Sequence, residues 1–578
     1  MSTGPPSATP GPPVPAGDAA AALTAAPGAP VPVGDATAAA LTRVGGTTVF
    51  GVGGTHTVPL LGAFERSGTI DFVAARTELG AAYMAIGYAR ATGRPGVVLT
   101  STGPGALNAA AALADAAWSS VPLLHLTTEV ASTGFAGAGF AGAVHETPAQ
   151  SEILRLAGGA VVSCVDDAVD AAVDEAWTLA TGRPTGPVTL VLPAGRWNEP
   201  ARAGAGPPPA RPLDDRGADV VDDPAPPPGH AAHPSGRRGD DEAALGALVA
   251  ALTAAERPLV YAGGGAVRHD GGAAVRRLAE TIGAPIVTSY QGKGIAGPAH
   301  PLWFGPTSSE AAVRDCCARA DVAVVFGANL SAAGTDQWRL PLPEQAWRVG
   351  YERRPHPHYP QLQEIHTDAA AAADGLAGRL GPRPPWADLA AVRAEVEAGA
   401  RLRGGPEMEF VDALREAPGT AALVALDMTK AGFWLIKHLP VAAGGHHAFS
   451  GYLAMGTALP MAIGMAVATG DGVLAVVGDG ALQMSLAELA VVAERQLPVT
   501  ILVIVDGAYG MLAENAAAAG GSRRLGVELW NPDLPALARA FGFGCDEAEG
   551  PADLRRLLDK ATVEPRMILL TQKFTRQW

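Results

Sequence analysis

Val473-Leu474-Ala475-Val476-Val477-Gly478-Asp479-Gly480 is apolar at every position until it runs into an acidic turn flanked by glycines. A helical stretch over 485–495 separates it from a second apolar run, 499–505, which ends in Asp506-Gly507-Ala508-Tyr509-Gly510. Strands without polar alternation are buried on both faces, and such strands separated by helices build a parallel sheet covered on both sides. The same alternation extends outward from this point. A strand over 421–426 and a helix near 459–469 complete the last unit. A middle unit carries strands at 258–261, 285–288 and 322–326 around a helix over 272–282. The first unit has strands at 47–52 and 96–100 with a helix over 78–91 between them. The expected fold class is therefore α/β: three consecutive α/β domains with parallel sheets.

A length of 578 residues agrees with about three domains at the usual ~100–200 residues each. Residues 1–35 are rich in Pro, Ala and Gly and read as a disordered tail, with neither the basic head nor the apolar run of a signal peptide. The expected boundaries are 36–200 for the first domain and 241–382 for the central one. Between them, 201–240 is a Pro/Gly-rich linker containing Pro207-Pro208-Pro209 and Pro226-Pro227-Pro228. A linker helix over 383–410 leads to the last domain, 411–578.

Hydrophobic residues make up 48% of the chain and charged residues 17%, the balance of a globular protein. A formal charge of -15 argues against a nucleic-acid or anionic-membrane partner, because phosphate backbones need clustered Lys and Arg. The four cysteines, Cys164, Cys316, Cys317 and Cys545, form no CxxC pair, so neither a disulfide framework nor a zinc site is expected and a reducing cytoplasm fits. No uninterrupted apolar run reaches the ~18 residues of a membrane span.

Ligands of parallel sheets bind beyond the carboxyl ends of strands. Asp479 and Asp506 both stand at such ends. Mg²⁺ takes one or two carboxylates, a carbonyl and phosphate oxygens in octahedral geometry, and the adjacent glycines let backbone amides approach a diphosphate. Near the start of the chain, Glu78 sits at a strand-to-helix junction, where a carboxylate also suits the helix dipole. Read alone it is a simple cap. Its surroundings are Gly87-Tyr88-Ala89-Arg90-Ala91-Thr92-Gly93 and the loop Thr102-Gly103-Pro104-Gly105.

With these motifs in this order, residues 36–575 resemble the thiamine diphosphate-dependent decarboxylase and acetohydroxyacid (acetolactate) synthase family. Further matches are Pro184–Pro193, Gly263-Gly264-Gly265, Gly292-Lys293-Gly294 and Met455-Gly456-Thr457-Ala458-Leu459-Pro460. The resemblance implies pyrimidine-binding, central and diphosphate-binding domains. It implies thiamine diphosphate and Mg²⁺ as cofactors. It also implies a homodimer or tetramer whose site is shared between one subunit's first domain and its partner's third. Glu78 corresponds to the glutamate that hydrogen-bonds the aminopyrimidine ring. Leu453 and Met455 correspond to the residues holding and supporting that ring, and Asp479, Asp506 and the Ala508 carbonyl to the metal ligands. Thr429, Gly480, Ala481, Gly510 and Met511 would surround the diphosphate. Flavin, bound by the central domain of some relatives, has no signature in these residues.

Substrate selection is assigned to Thr55, His56, His145, His446 and His447, with Thr55 and His145 taken as catalytic candidates. His145-Glu146-Thr147-Pro148 aligns with a Gln-Glu-Thr-Pro segment of the synthases. The chain departs from the family at three places: Val505-Asp506 stands for the usual Asn-Asn, Gly53 for a proline, and Leu512 for the acid of simple pyruvate decarboxylases. The implied activity is that of a carboligase that decarboxylates a pyruvate-like 2-oxo acid and hands the acyl unit to a second acceptor. The alternatives are a decarboxylase releasing an aldehyde and a homologue without catalysis.

Overall fold

The computed structural model describes residues 30–129, 144–147, 149–164, 168–193, 195–201, 238–268, 271–351, 355–417, 423–441, 447–520, 525–559, 564–572 and 574. Most of the expected tail and linker lies outside them, as does His446. A helix, Val33–Val44, starts just inside the stretch read as tail, and another, Arg238–Ala254, just inside the stretch read as linker.

Three six-stranded sheets follow one another along the chain, and every strand pair is parallel. The first contains β1 (Thr48–Gly51), β2 (Asp71–Ala74), β3 (Gly96–Leu99), β4 (Leu123–Glu129), β5 (Ala160–Ser163) and β6 (Pro187–Pro193), in the order β2-β1-β3-β4-β6-β5. The central sheet contains β7 (Pro258–Ala262), β8 (Ile286–Thr288), β9 (Trp303–Gly305), β10 (Val322–Phe326), β11 (Gln345–Gly350) and β12 (Leu362–His366), ordered β12-β11-β10-β7-β8-β9. The third contains β13 (Val424–Leu426), β14 (His447–Ala448), β15 (Val473–Gly478), β16 (Val499–Ile504), β17 (Gly544–Ala548) and β18 (Arg566–Leu570), ordered β14-β13-β15-β16-β18-β17. The α/β reading is correct in class and in the parallel sense of all three sheets.

Two of the expected elements differ in detail. The helix read over 485–495 is broken: Asp479–Met484 is helical, Leu486–Glu488 is a 3-10 turn, and Leu489–Arg495 resumes the helix. The break turns the Glu488 carboxylate out of the helical path, toward backbone amides of the first domain. The polar helix after the central domain is Leu389–Arg403, started by the Asp388 side chain accepting from the Ala391 amide.

One hydrophobic core joins the first and third sheets, running from Phe50, Val73 and Met84 through Met461 and Ile463 to Val477 and Ile501. The central sheet keeps a core of its own, around Tyr261, Leu278 and Phe326. At the middle of the shared core the helix Glu78–Thr92 crosses the helix Ala458–Thr469. The crossing is close enough that a Cβ on Gly87 would overlap the Met461 carbonyl, and one on Gly464 the Met84 carbonyl. Backbone therefore lies directly on backbone at two points. Among the described residues no helix is long and apolar enough to cross a membrane, and all four cysteines are free thiols.

Gly464→Ala is expected to lower the melting temperature, at a cost of about 2 kcal/mol from forcing the two helices apart. Gly87→Ala should do the same, and the double variant should cost less than the two singles combined, since a single separation relieves both contacts. Additive melting shifts would contradict the close crossing.

Candidate active site

A pocket opens at the carboxyl ends of β13, β15 and β16, lined by Thr429, Lys430, Leu453, Met455, Asp479, Gly480, Ala481, Asp506, Ala508, Gly510 and Met511 among others. The strands reach it because their apolar side chains are buried on both faces, so only the loops beyond Leu426, Gly478 and Ile504 carry polar groups. Helix N-termini point into the same space. Thr429 caps the helix Lys430–His438, its Oγ1 accepting from the Gly432 amide at 2.8 Å, and Gly510–Ala518 starts at the pocket wall. The positive ends of these helices favour an anion.

Asp479 is 1% exposed. Its Oδ1 accepts from the Gly480 amide at 2.8 Å, and its Oδ2 from the Gly507 amide at 2.8 Å and Asn531 Nδ2 at 2.7 Å. It thereby ties the loop after β15 to the loop after β16. Asp506 Oδ1 accepts from the Ala508 amide at 3.2 Å. Of the roughly four lone-pair positions on the Asp479 carboxylate, three are used. Among the described residues no group of three or more His, Cys, Asp or Glu side chains is gathered as a closed metal cage would need. Two carboxylates and a carbonyl beside an anion-favouring pocket are the donor set of Mg²⁺, which keeps few protein ligands and shares phosphate oxygens. The residues fit that ion and a diphosphate.

The wall carrying Leu453 and Met455 depends on Asp427, which reading of the sequence did not single out. Its fully buried carboxylate accepts from the amides of Met428 (2.9 Å), Gly456 (3.0 Å), Thr457 (2.9 Å) and Ala458 (3.1 Å). Burial pushes this carboxyl up from its ordinary range, and the four amides pull it back. Leu453 adopts φ 61° and Gly456 φ 76°, so the loop turns through left-handed backbone before the helix begins. The signal was present: Leu426-Asp427 is a third acidic strand end of the same form as Gly478-Asp479.

Glu78 opens its helix in the first domain, behind Thr77, whose side chain caps Gly80 at 2.9 Å. That junction is held by a residue of the third domain. Glu488 accepts from the Arg76 amide at 3.1 Å, the Thr77 amide at 2.9 Å and the Thr77 hydroxyl at 2.8 Å. Burial raises its carboxyl and these donors oppose the rise. No sequence signal marks Glu488, because it falls inside a run read as plain helix. Asn108 Nδ2 donates to Glu78 Oε2 at 3.1 Å, and Gly105 leaves room for Glu78 Oε1, 3.2 Å from where a Cβ would stand.

The loop 103–105 also reaches His145. Gly103, at φ 63°, would meet the His145 carbonyl with any side chain, and its amide donates to Gln150 Oε1 at 2.6 Å. His145 is exposed, at φ 65°, with its ring edge-on to His56 at 5.5 Å, and His56 Nδ1 lies 2.9 Å from Thr102 Oγ1. Thr55 is exposed on the adjacent loop. Within one chain the structure thus forms two groups. Glu78, His56, His145 and Thr55 belong to the first-domain loops, and none of them lines the third-domain pocket. His447 is buried at the start of β14, away from that pocket. Lys430, Asn531 and Gln150 were not anticipated.

Models of known families match along the chain. The N-terminal TPP binding domain of thiamine pyrophosphate enzymes matches residues 31–153, the central domain 245–350, and the C-terminal TPP binding domain 427–571. The chain is 30% identical over 538 residues to a probable 2-ketoarginine decarboxylase of Pseudomonas aeruginosa, covering 89% of each protein. It is 26% identical over 584 residues to a sulfoacetaldehyde acetyltransferase of Castellaniella defragrans, covering 92% of this chain and 91% of that one. To the acetolactate synthase isozyme 1 large subunit of Escherichia coli it is 25% identical over 533 residues, covering 89% of each.

Asp427→Ala strands buried amides without an acceptor and is expected to cost about 3 kcal/mol, read as a lower melting temperature. Asp427→Asn, with one acceptor oxygen left, should fall between. An alanine variant as stable as the parent would mean that the loop does not depend on this carboxylate.

Proposed function

Because the chain belongs to the thiamine pyrophosphate enzyme family, whose members act as decarboxylases, transferases and synthases, we propose that it binds thiamine diphosphate with Mg²⁺. On this reading it is a carboligase: it decarboxylates a pyruvate-like 2-oxo acid and transfers the acyl unit to a second acceptor. When bound, thiamine diphosphate supplies the electron sink for breaking the bond between carbonyl and carboxylate. The residues of the chain do the rest. Asp479, Asp506 and the Ala508 carbonyl take the metal. Thr429, Gly480, Ala481, Gly510 and Met511 enclose the diphosphate, and Leu453 and Met455 hold the pyrimidine. Glu78 holds and returns a proton at the pyrimidine ring nitrogen, at a position set by Glu488.

The observation carrying ligation over simple release is the apolar wall of Met511 and Leu512 on the pocket. A positioned acid speeds protonation of the reacting carbon. An apolar side chain excludes water there and leaves time for a second carbonyl to be aligned. The likeness to a probable 2-ketoarginine decarboxylase favours a second reading, release of an aldehyde, with His145 as the proton source. Glu78, Thr55 and His145 are not among the residues lining the pocket of their own chain, and apolar side chains stand exposed on both sides: Leu79 and Val144 by the first-domain loops, Leu453, Met455 and Leu512 on the pocket. This supports a homodimer in which one copy's first domain completes its partner's third.

Incubation with pyruvate and other 2-oxo acids, alone and with aldehyde or oxo-acid acceptors, is expected to give a ligated hydroxyketone by mass spectrometry. Aldehyde as the sole product with every acceptor would replace the first reading by the second. Leu512→Glu should move products toward free aldehyde.

Glu78→Gln should retain cofactor binding while turnover falls roughly 10²–10⁴-fold, the range for positioned acid–base groups. Mixing Glu78→Gln with Asp479→Ala subunits under exchange should recover activity that neither has alone. Failure to complement, with exchange demonstrated, would put both groups of residues in one chain's site.

A further inference from the structure

Beyond the helix Gly510–Ala518 the chain returns to the pocket and lies along the loop that follows β16. The Tyr509 amide donates to the Val527 carbonyl at 2.9 Å and the Leu529 amide to the Gly507 carbonyl at 2.8 Å, so Ala508 and Glu528 face each other across an antiparallel bridge. In a pair of this kind the flanking residues make the bonds, and the backbone groups of the middle pair turn outward. The Ala508 carbonyl is therefore directed away from the returning segment. A Cβ on Gly480 would stand 2.7 Å from Leu529 Cδ1, so the segment also rests on the loop after β15. Its end carries Asn531. Nδ2 of Asn531 donates to Asp479 Oδ2 at 2.7 Å, and its Oδ1 accepts from Gln483 Nε2 at 2.8 Å; the same Nε2 lies 3.5 Å from the Trp530 carbonyl. The partners dictate how both amides are turned. A carboxylate can only accept, so Asn531 gives it the NH₂ and turns its oxygen to Gln483, which must then present its own NH₂. Gln483 belongs to the short helix Asp479–Met484, so the chain of bonds leaves that helix and closes on its first residue.

The two oxygens of Asp479 are left unequal. Oδ2 meets two donors, the Gly507 amide at 2.8 Å and Asn531 at 2.7 Å, which take both of its lone pairs. Oδ1 meets only the Gly480 amide, at 2.8 Å, and keeps one lone pair. We propose that Asn531, held by Gln483, is a metal-positioning residue: it occupies Oδ2, so that Asp479 binds Mg²⁺ through Oδ1 alone. The inference rests on reading the pocket as the site of Mg²⁺ and a diphosphate. Mg²⁺ demands near-ideal octahedral geometry, and a carboxylate fixed to offer one oxygen meets that demand better than one free to swing between one and two. Gln483 acts one step further out, by fixing the amide that fixes the carboxylate.

The test is the dissociation constant of Mg²⁺, measured by titration calorimetry with thiamine diphosphate at the same saturating concentration for every variant and without substrate. Asn531→Ala should weaken Mg²⁺ binding roughly 10–100-fold, the range for a partner that orients a metal ligand. The same variant frees a second oxygen on Asp479. Ca²⁺, which accepts a bidentate carboxylate, should therefore lose less than Mg²⁺, and the ratio of the two constants should shift toward Ca²⁺ by about fivefold or more. A merely structural role would weaken both ions alike. Gln483→Ala, at an exposed side chain, should shift the ratio in the same direction by a smaller factor. It should add nothing in the Asn531→Ala background, because the two residues act through one contact. This variant also covers the case in which Asn531→Ala does not fold. Mg²⁺ binding by a folded Asn531→Ala protein within about twofold of the parent, or an unchanged ratio, would overturn the proposal. So would a loss from Gln483→Ala that persists in the Asn531→Ala background. A parent protein that binds no Mg²⁺ with thiamine diphosphate would overturn the reading of the pocket as well, and that first titration separates the two failures.

Discussion

Two helices crossing with backbone on backbone, Gly87 against Met461 and Gly464 against Met84, set the distance between the first and third sheets. Both helices start at functional loops. Glu78 is the first residue of one, and the Leu453–Thr457 turn leads into the other. Each start is fastened by a buried carboxylate that accepts from consecutive backbone amides, Glu488 for the Glu78 helix and Asp427 for the other. A carboxylate at a helix N-terminus satisfies orphan amides and the dipole together. Glu488 does so across domains, so the position of Glu78 is set by the third domain's sheet.

The parts of this arrangement legible in the sequence are those written in local pattern. Apolar runs spaced by helices read as buried parallel strands, and this located strands in all three sheets and the loops that carry Asp479, Asp506 and Ala508. The Gly-Pro-Gly loop and Glu78 were legible as members of an ordered set of motifs, and the structure gives the glycines their reason: Gly103 stands at φ 63°, ψ -110°, against the His145 carbonyl, and Gly105 lies close to the Glu78 carboxylate. Glu488 and Gln150 were not, since each acts across long sequence separation on backbone groups, which have no residue identity to match. Short edge strands such as β14, two residues long, carry too little pattern to be read. The helix over 485–495 was read as continuous because its apolar spacing is helical on both sides of the Glu488 turn.

The pocket's electrostatics follow from topology before any charged side chain is considered. Parallel strands deliver their loops to one edge, and the helices that return from those loops begin there, so helix N-termini gather where the strands end. Such an edge attracts anions. Acidic residues buried on such an edge stay ionised only where hydrogen-bond donors or a cation answer their charge.

Asp479 and Asp506 are not equivalent, and their hydrogen bonds say why. The Asp479 carboxylate faces three donors, the amides of Gly480 and Gly507 and the side-chain amide of Asn531, divided between both of its oxygens. An asparagine there would turn its own NH₂ against at least one of these donors and leave it unpaired in a buried place. Only a carboxylate serves. At 506 the Ala508 amide is met by a single oxygen, Oδ1, which the carbonyl oxygen of an asparagine can equally supply. The second oxygen faces toward the gap at Gly510 and Lys430. The three donors around Asp479 therefore require a carboxylate, whereas the Ala508 amide is served equally by an aspartate or an asparagine. What an aspartate adds at 506 over an asparagine is a charge.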